Sequence, residues 1–215
     1  TFDIIRRENV TNFAAAPTVY RSLRSAQPTM SNPLQLRCAS SAGEPLTPDV
    51  NAWAVKALGV EVHDHYGQTE VGMVINNHHH PDLKQPIKVG AMGRALPGWT
   101  AAILKDDEDV PAAIGETGRV AMDLSRSPLA FFSGYDGDPG KTAERFSEDG
   151  RWYITGDTGS VDADGYFRFS SRDDDVILMA GYRIGPFEVE STMVMHEAVA
   201  EAAVITVPDE VRGEV

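Results

Sequence analysis

Residues 34–66 read LQLRCASSAGEPLTPDVNAWAVKALGVEVHDHY and contain a strand, a helix and a second strand in succession. The apolar run through Leu36, Cys38 and Ala39 breaks at Gly43, as a buried strand does on meeting a turn. Thr47, Pro48 and Asp49 spell a helix start: a hydroxyl cap, proline at the first helical position and an acid in the first turn. The helix over PDVNAWAVKAL stops at Gly59. VEVHDHY follows as a strand, with Val60, Val62, Asp64 and Tyr66 on one face and Glu61, His63 and His65 on the other. Upstream, FDIIRRENVTNFAAAPTVYRSL adds helix, strand and helix. This order predicts the end of a parallel α/β sheet.

Downstream the pattern changes. From Ile87, glycine and proline punctuate short alternating strands, with hairpin signals at EDGRW and DADGY, so an antiparallel β region is expected. At SSRDDDVILMAGYRIGPFEVE it changes again, to a turn, a short strand pair and a helix from Pro186. AVAEAAVITVPD then reads as a helix end running into a strand. The fold class is α/β, with expected divisions at 1–86 (parallel α/β part), 87–173 (antiparallel β subdomain) and 174–215 (the start of a smaller α+β domain).

The 215 residues suffice for one large domain or two smaller ones, and 42% hydrophobic with 24% charged residues is ordinary globular composition. A formal net charge of −13 argues against a nucleic-acid partner, which needs clustered Lys and Arg. It leaves room for a small phosphate ligand held by backbone amides and one or two arginines. Cys38 is the sole cysteine, which fits a reducing compartment, and its apolar run marks it as a small buried hydrophobe. No run reaches the roughly 18 apolar residues of a membrane span, and no basic-then-apolar leader is present. The expectation is a cytoplasmic protein; a homo-oligomer is left open.

Two apparent sites dissolve on inspection. His78, His79 and His80 invite a metal, but consecutive residues in a proline-terminated loop point in different directions instead of converging on one ion. GYDGDPGKT resembles a phosphate loop, yet five residues separate Gly134 from Gly140, and Asp136 and Asp138 lie where a phosphate would sit. It reads as an acidic turn before a helix starting near Lys141. YITGD ends a strand with a carboxylate, Asp157, that serves equally as a turn residue or as a grip on ribose hydroxyls. Arg172, beside three aspartates, reads as a solvated charged turn or as an arginine aimed at a phosphate or ribose. In YGQTE, Tyr66 offers a flat face, Gly67 space, Thr69 a hydroxyl and Glu70 a hard oxygen ligand.

Taken in order, SAGEPL, YGQTE, GETG, YITGD and RDDDVILMAGYRIGPFEVE resemble the adenylate-forming (AMP-binding) enzymes, the superfamily of acyl-CoA synthetases, luciferases and peptide-synthetase adenylation domains. GYRIGPFEVE with PDEVRGEV is most similar to medium-chain acyl-CoA synthetases and their acetyl-CoA synthetase relatives. The resemblance implies that a carboxylate attacks the α-phosphate of ATP, giving acyl-adenylate and pyrophosphate, and that coenzyme A then displaces AMP. It places Gly43, Glu44 and Pro45 along adenine and ribose, Asp64 at the adenine amine and Tyr66 on the ring. Thr69 would hold the α-phosphate, Glu70 magnesium (Mg2+), and Asp157 the ribose, with Arg172 beside it. Asp174 matches the hinge of the mobile C-terminal domain; Ala180 and Gly181 would meet coenzyme A and Arg183 a phosphate. Val194, His196 and Val199 match a structural-cation site. Gly67 stands where acetate-specific relatives carry tryptophan, so an open pocket for a medium-chain or aromatic acid is expected, with Gly67→Trp shifting preference toward acetate.

The resemblance also implies a Ser/Thr/Gly-rich phosphate loop before residue 1 and a catalytic lysine beyond Val215. The 215 residues alone are therefore expected to be an inactive piece of a larger enzyme. A carrier-loading adenylation domain and a non-catalytic nucleotide-binding module remain the alternatives.

Overall fold

The computed structural model describes residues 1–26, 34–179, 182–194, 196, 198–199, 202–209 and 213–214. Contacts divide the chain into two units, Thr1–Leu96 and Pro97–Val215. Among the described residues no helix is long and apolar enough to cross a membrane.

The first unit runs α1 (Phe2–Arg7), β1 (Asn12–Ala15), α2 (Pro17–Ser25), β2 (Cys38–Ala42), α3 (Pro48–Leu58), β3 (Val62–Gln68), β4 (Gly72–Asn76) and β5 (Arg94–Ala95). Its sheet has the order β1-β2-β3-β4-β5. The first three strands are parallel, as strand–helix–strand connectivity demands, with Ala39 opposite Val62 and Ser41 opposite Asp64. β4 and β5 add antiparallel. Helical spacing puts Val50, Ala54 and Leu58 of α3 and Tyr20 and Leu23 of α2 on one core with Ile5, Ala39 and Val62. Each large side chain buried there contributes about 1.5–3 kcal/mol relative to exposure. Tyr20 is fully buried, and its hydroxyl is shared between the carbonyls of Ser40 at 2.8 Å and Phe13 at 3.2 Å, tying α2 to two strands.

α3 starts at Pro48 and stops at Gly59 as the sequence predicts, but the expected hydroxyl cap is not made. Thr47 turns inward, is 4% exposed, and its Oγ1 has no hydrogen-bond partner among the described residues. Asp49 is committed to an ion pair with Arg24 of α2. Cys38, expected in the interior, is half-buried because it sits at the first position of β2.

The second unit opens with β6 (Ala101–Leu104), β7 (Gly118–Asp123), α4 (Pro139–Ala143), β8 (Trp152–Val161) and β9 (Phe167–Arg172). The four strands form one antiparallel sheet in sequence order, around Leu104, Ala121 and Trp152. The acidic GYDGDPGKT stretch is a helix start: the Asp138 carboxylate accepts the Lys141 amide at 2.9 Å and caps α4. A short 3₁₀ turn, Asp173–Asp175, leads to β10 (Ile177–Met179), β11 (Tyr182–Ile184), α5 (Pro186–Met193), β12 (Pro208–Asp209) and β13 (Gly213–Glu214). The strand expected across VITVPD is reduced to Pro208 and Asp209, and residues 202–207 have no regular structure. Its antiparallel partner β13 is itself two residues long, so no ladder extends over the segment.

Candidate active site

The 43–45 turn follows β2 directly. Gly43 takes a left-handed φ of +92°, which folds the chain back over the start of α2. The Glu44 carboxylate accepts the Thr18 hydroxyl at 2.6 and 2.8 Å and pairs with Arg21 Nη2 at 3.0 Å. Asp64, opposite Ser41 on β3, is 8% exposed and accepts the Ser41 hydroxyl at 3.3 Å. Burial pushes its carboxyl up to about 7; bonds from Ser41 and from the amides of His65 and Leu46 offset this only partly. Asp64 also borders a small open cavity whose walls include Leu46, Thr47, Asn51, Val62 and Asn77.

The other face of β3 carries His63 and His65, and here the loop histidines matter. His79 stacks on His63 with ring centroids 3.8 Å apart and meets His65 edge-on at 5.8 Å. His63 Nδ1 donates to the Asn77 carbonyl at 2.9 Å, and His79 Nε2 lies 2.8 Å from the Ser40 hydroxyl. Burial holds all three below the usual imidazole range, His79 at about 4, so the stack is made of neutral rings. His80 points outward toward Asp82 instead. Among the described residues no three His, Cys, Asp or Glu side chains are grouped to hold a metal. Nothing local in the sequence marks His79 as packing onto His63; the His63/His65 alternation calls only for some partner on that face.

The 69–71 turn joins β3 to β4 and presents Thr69 exposed and Glu70 half-buried. Tyr66 pairs with Ile75, and the ladder slips by one residue between Tyr66 and Gly67. That bulge corrects the expectation of open space at Gly67. A Cβ there would drive into the Gly72 carbonyl and lie 2.7 Å from Met73 Cα. Glycine is required because β4's backbone occupies the side-chain position.

In the second unit, β8–β9 pairing sets Asp157 directly opposite Arg172. Arg172 Nη1 lies 3.3 Å from Asp157 Oδ1, and its Nε lies 3.3 Å from Asp174 Oδ1. One guanidinium thus bridges a buried carboxylate (6% side-chain exposure) and an exposed one (75%). Gly156, at φ +76°, leaves room for a residue the sequence did not flag: Arg145, whose Nη1 donates to the Thr155 carbonyl at 3.0 Å beside Asp157. The backbone of Arg183 pairs with Leu178 in β11. Ala180 and Gly181 lie outside the described residues. His196 Nδ1 accepts the Ala198 amide at 3.2 Å and its carbonyl accepts Val199 N–H at 2.9 Å, so both groups are engaged locally.

The sequence profile described as AMP-binding enzyme matches residues 1–135. The chain belongs to the AMP-binding enzyme family. It is 42% identical to the human mitochondrial acyl-coenzyme A synthetase ACSM4 over 99% of its own length and 36% of that protein. Among solved structures, an acyl-CoA synthetase of Brucella canis is 45% identical with a TM-score of 0.73, across the whole chain and 38% of that structure. The anthranilate CoA ligase AuaEII, solved with anthranoyl-AMP, is 33% identical with a TM-score of 0.83, across 95% of the chain and 38% of that structure. The chain spans about a third of the length of the curated relatives it matches.

As an AMP-binding family member, the chain carries two separate polar constellations. The first unit holds a turn bounded by Ser41, Glu44 and Asp64, and a hairpin tip with Thr69 and Glu70. The second holds Asp157, Arg172 and Asp174 on one bridge, a pairing suited to a diol or an anion because a carboxylate accepts two hydrogen bonds and a guanidinium donates several.

Proposed function

We propose that the protein carrying this chain is an ATP-dependent, AMP-forming acyl-CoA synthetase. The carrying observation is that a named acyl-coenzyme A synthetase aligns with 99% of the chain at 42% identity. A carboxylic acid attacks the α-phosphate of ATP to give acyl-adenylate and pyrophosphate, and the thiol of coenzyme A then displaces AMP. Such chemistry depends on positioning and charge stabilisation more than on covalent help from the protein.

In this reading the backbone of Gly43 and the Pro45 ring line adenine and ribose, Asp64 faces the adenine amine and Tyr66 stacks on the base. Thr69 donates to the α-phosphate from its exposed place in the hairpin turn. Asp157 accepts the ribose hydroxyls, with Arg172 holding that carboxylate in place. Asp174, exposed between β9 and β10, is the hinge of a mobile domain spanning 174–215, with 1–86 and 87–173 as the parts of the larger domain. Ala180 and Gly181 would approach coenzyme A and Arg183 a phosphate. Magnesium usually takes one or two protein carboxylates plus water and substrate phosphates, so a single half-buried Glu70 beside an exposed Thr69 is a fitting donor set. When bound, the ion supplies positive charge to the phosphates. A structural cation at Val194, His196 and Val199 fits less well, because the single lone pair of His196 Nδ1 already accepts the Ala198 amide.

The acid is proposed to be medium-chain or aromatic, now supported by the anthranoyl-AMP-bound ligase and not by Gly67. Cytoplasmic residence is proposed on the single cysteine, while the rat and human relatives are named mitochondrial; fractionation of the native protein decides between the two.

The test uses the full-length protein with ATP, magnesium and a panel of acids. Acid-dependent pyrophosphate release, with acyl-CoA formed only when coenzyme A is added, is the expected result. Acyl transfer to a phosphopantetheinyl carrier but not to coenzyme A would instead identify a carrier-loading domain. Glu70→Gln is expected to lower kcat by about 10²–10³ with the melting temperature unchanged, a loss typical of removing one transition-state charge stabiliser.

A further inference from the structure

Glu44 lies in the turn that the proposed function sets against the nucleotide, and its carboxylate is taken up by two side chains of α2. Arg21 Nη2 donates to Thr18 Oγ1 at 2.8 Å and to Glu44 Oε2 at 3.0 Å, while Thr18 Oγ1 donates to the Glu44 carboxylate. The three side chains close a triangle, with Arg21 and Glu44 at 24% and 41% side-chain exposure. Thr18 and Arg21 stand one turn apart on α2, so they share a face, and a carboxylate near that helix's N-terminus is favoured by the helix dipole. α2 is a firm platform: Tyr20 and Leu23 are buried in the core, and Tyr20 bonds the Ser40 carbonyl two residues before β2 ends. On the far side of the same turn, the Asp64 carboxylate receives the Leu46 amide. The turn is therefore gripped at both ends, and the grip on its outer side comes from a helix to which no role had been given.

We infer that Thr18 and Arg21 are positioning residues for nucleotide binding, acting through Glu44 to fix the 43–45 turn. This rests on the reading of that turn as the nucleotide wall. Glu44 is then a tether, and the ligand meets the backbone of Gly43 and the ring of Pro45. A decorative surface ion pair would contribute about 0–1 kcal/mol and leave substrate binding untouched. A tether that sets the shape of a binding turn changes one substrate's affinity selectively.

The experiment compares full-length wild type with Thr18→Val, Thr18→Ser, Arg21→Met and the Val/Met double variant. Losing one charge-assisted bond of the triangle is expected to raise KM for ATP about tenfold in Thr18→Val and in Arg21→Met. Values of kcat and of KM for the acid should stay within about twofold, since neither residue touches reacting atoms. Thr18→Ser should restore the wild-type KM, and the double variant should resemble either single one because the triangle acts as a unit. Amide hydrogen exchange at Glu44 and Leu46 should quicken about tenfold in the impaired variants, a readout independent of activity. Unchanged exchange, or equal rises in KM for acid and ATP, overturns the inference. A wild-type protein that releases no pyrophosphate with any acid overturns the functional reading and the nucleotide role with it, while the exchange result still decides whether the tether exists.

Discussion

Gly67→Ala is expected to destabilise the protein by about 3 kcal/mol, and Gly67→Trp to prevent folding of the first unit instead of retuning acid preference. The reason is backbone against backbone. β4 crosses the side-chain position of residue 67 at the bulge between Tyr66 and Gly67, with the Gly72 carbonyl and Met73 Cα in the way. The clashing atoms are at the exposed start of β4, but the strand is anchored directly behind them: Val74 and Ile75 are fully buried, and Ile75 and Asn76 pair with β5. Relieving a backbone clash there means shifting Gly72 and Met73 against that anchor, which strains the bulged hairpin. Thermal unfolding of full-length Gly67→Ala checks this. A melting temperature within about a degree of wild type would mean that β4 yields easily and that the space beside Gly67 is open to substrate after all. An active Gly67→Trp variant with acetate preference would say the same more strongly.

The contrast at Gly67 shows which parts of this chain are legible from sequence. The β2–α3–β3 unit is written locally: alternation in VEVHDHY, the Pro48 start and the Gly59 stop each act within a few residues, and the structure follows them. The same holds for the Asp138 cap of α4 and the 162–165 turn between β8 and β9. The features that escaped depend on partners far along the chain. Glu44 is claimed by Thr18 and Arg21, 26 and 23 residues away, and Ser40 by His79 at a separation of 39. Thr47 has the right identity and place for a cap, but burial turns its hydroxyl inward. Arg145 gives no local signal at all, since its place beside Asp157 depends on the glycine at 156. Motif order nominates candidate residues, whereas what their side chains hold comes only from tertiary geometry.

Asp64→Asn is expected to stabilise the folded protein at pH 8 and to leave it nearly unchanged at pH 4, because the native carboxyl resists ionisation. The folded group sits at about 7 against 3.8 for a solvated aspartate. Between those values the native state binds more protons than the unfolded state, so stability falls as pH rises through the window. Above pH 7 the full burden is present, on the order of 4 kcal/mol at most, and asparagine removes it while keeping an acceptor for Ser41. His79 acts in the opposite sense. Its imidazole titrates at about 4 when folded against 6.5 in solution, so its contribution is complete above pH 6.5 and is lost as pH falls toward 4. In wild type the two slopes oppose each other over most of the acid range. The Asp64→Asn variant removes the falling limb and should expose a stability profile that rises between about pH 4 and 6.5. Urea denaturation of both proteins at pH 4, 6 and 8 measures this. Parallel profiles for the two would show that Asp64 is ionised in the folded state at neutral pH.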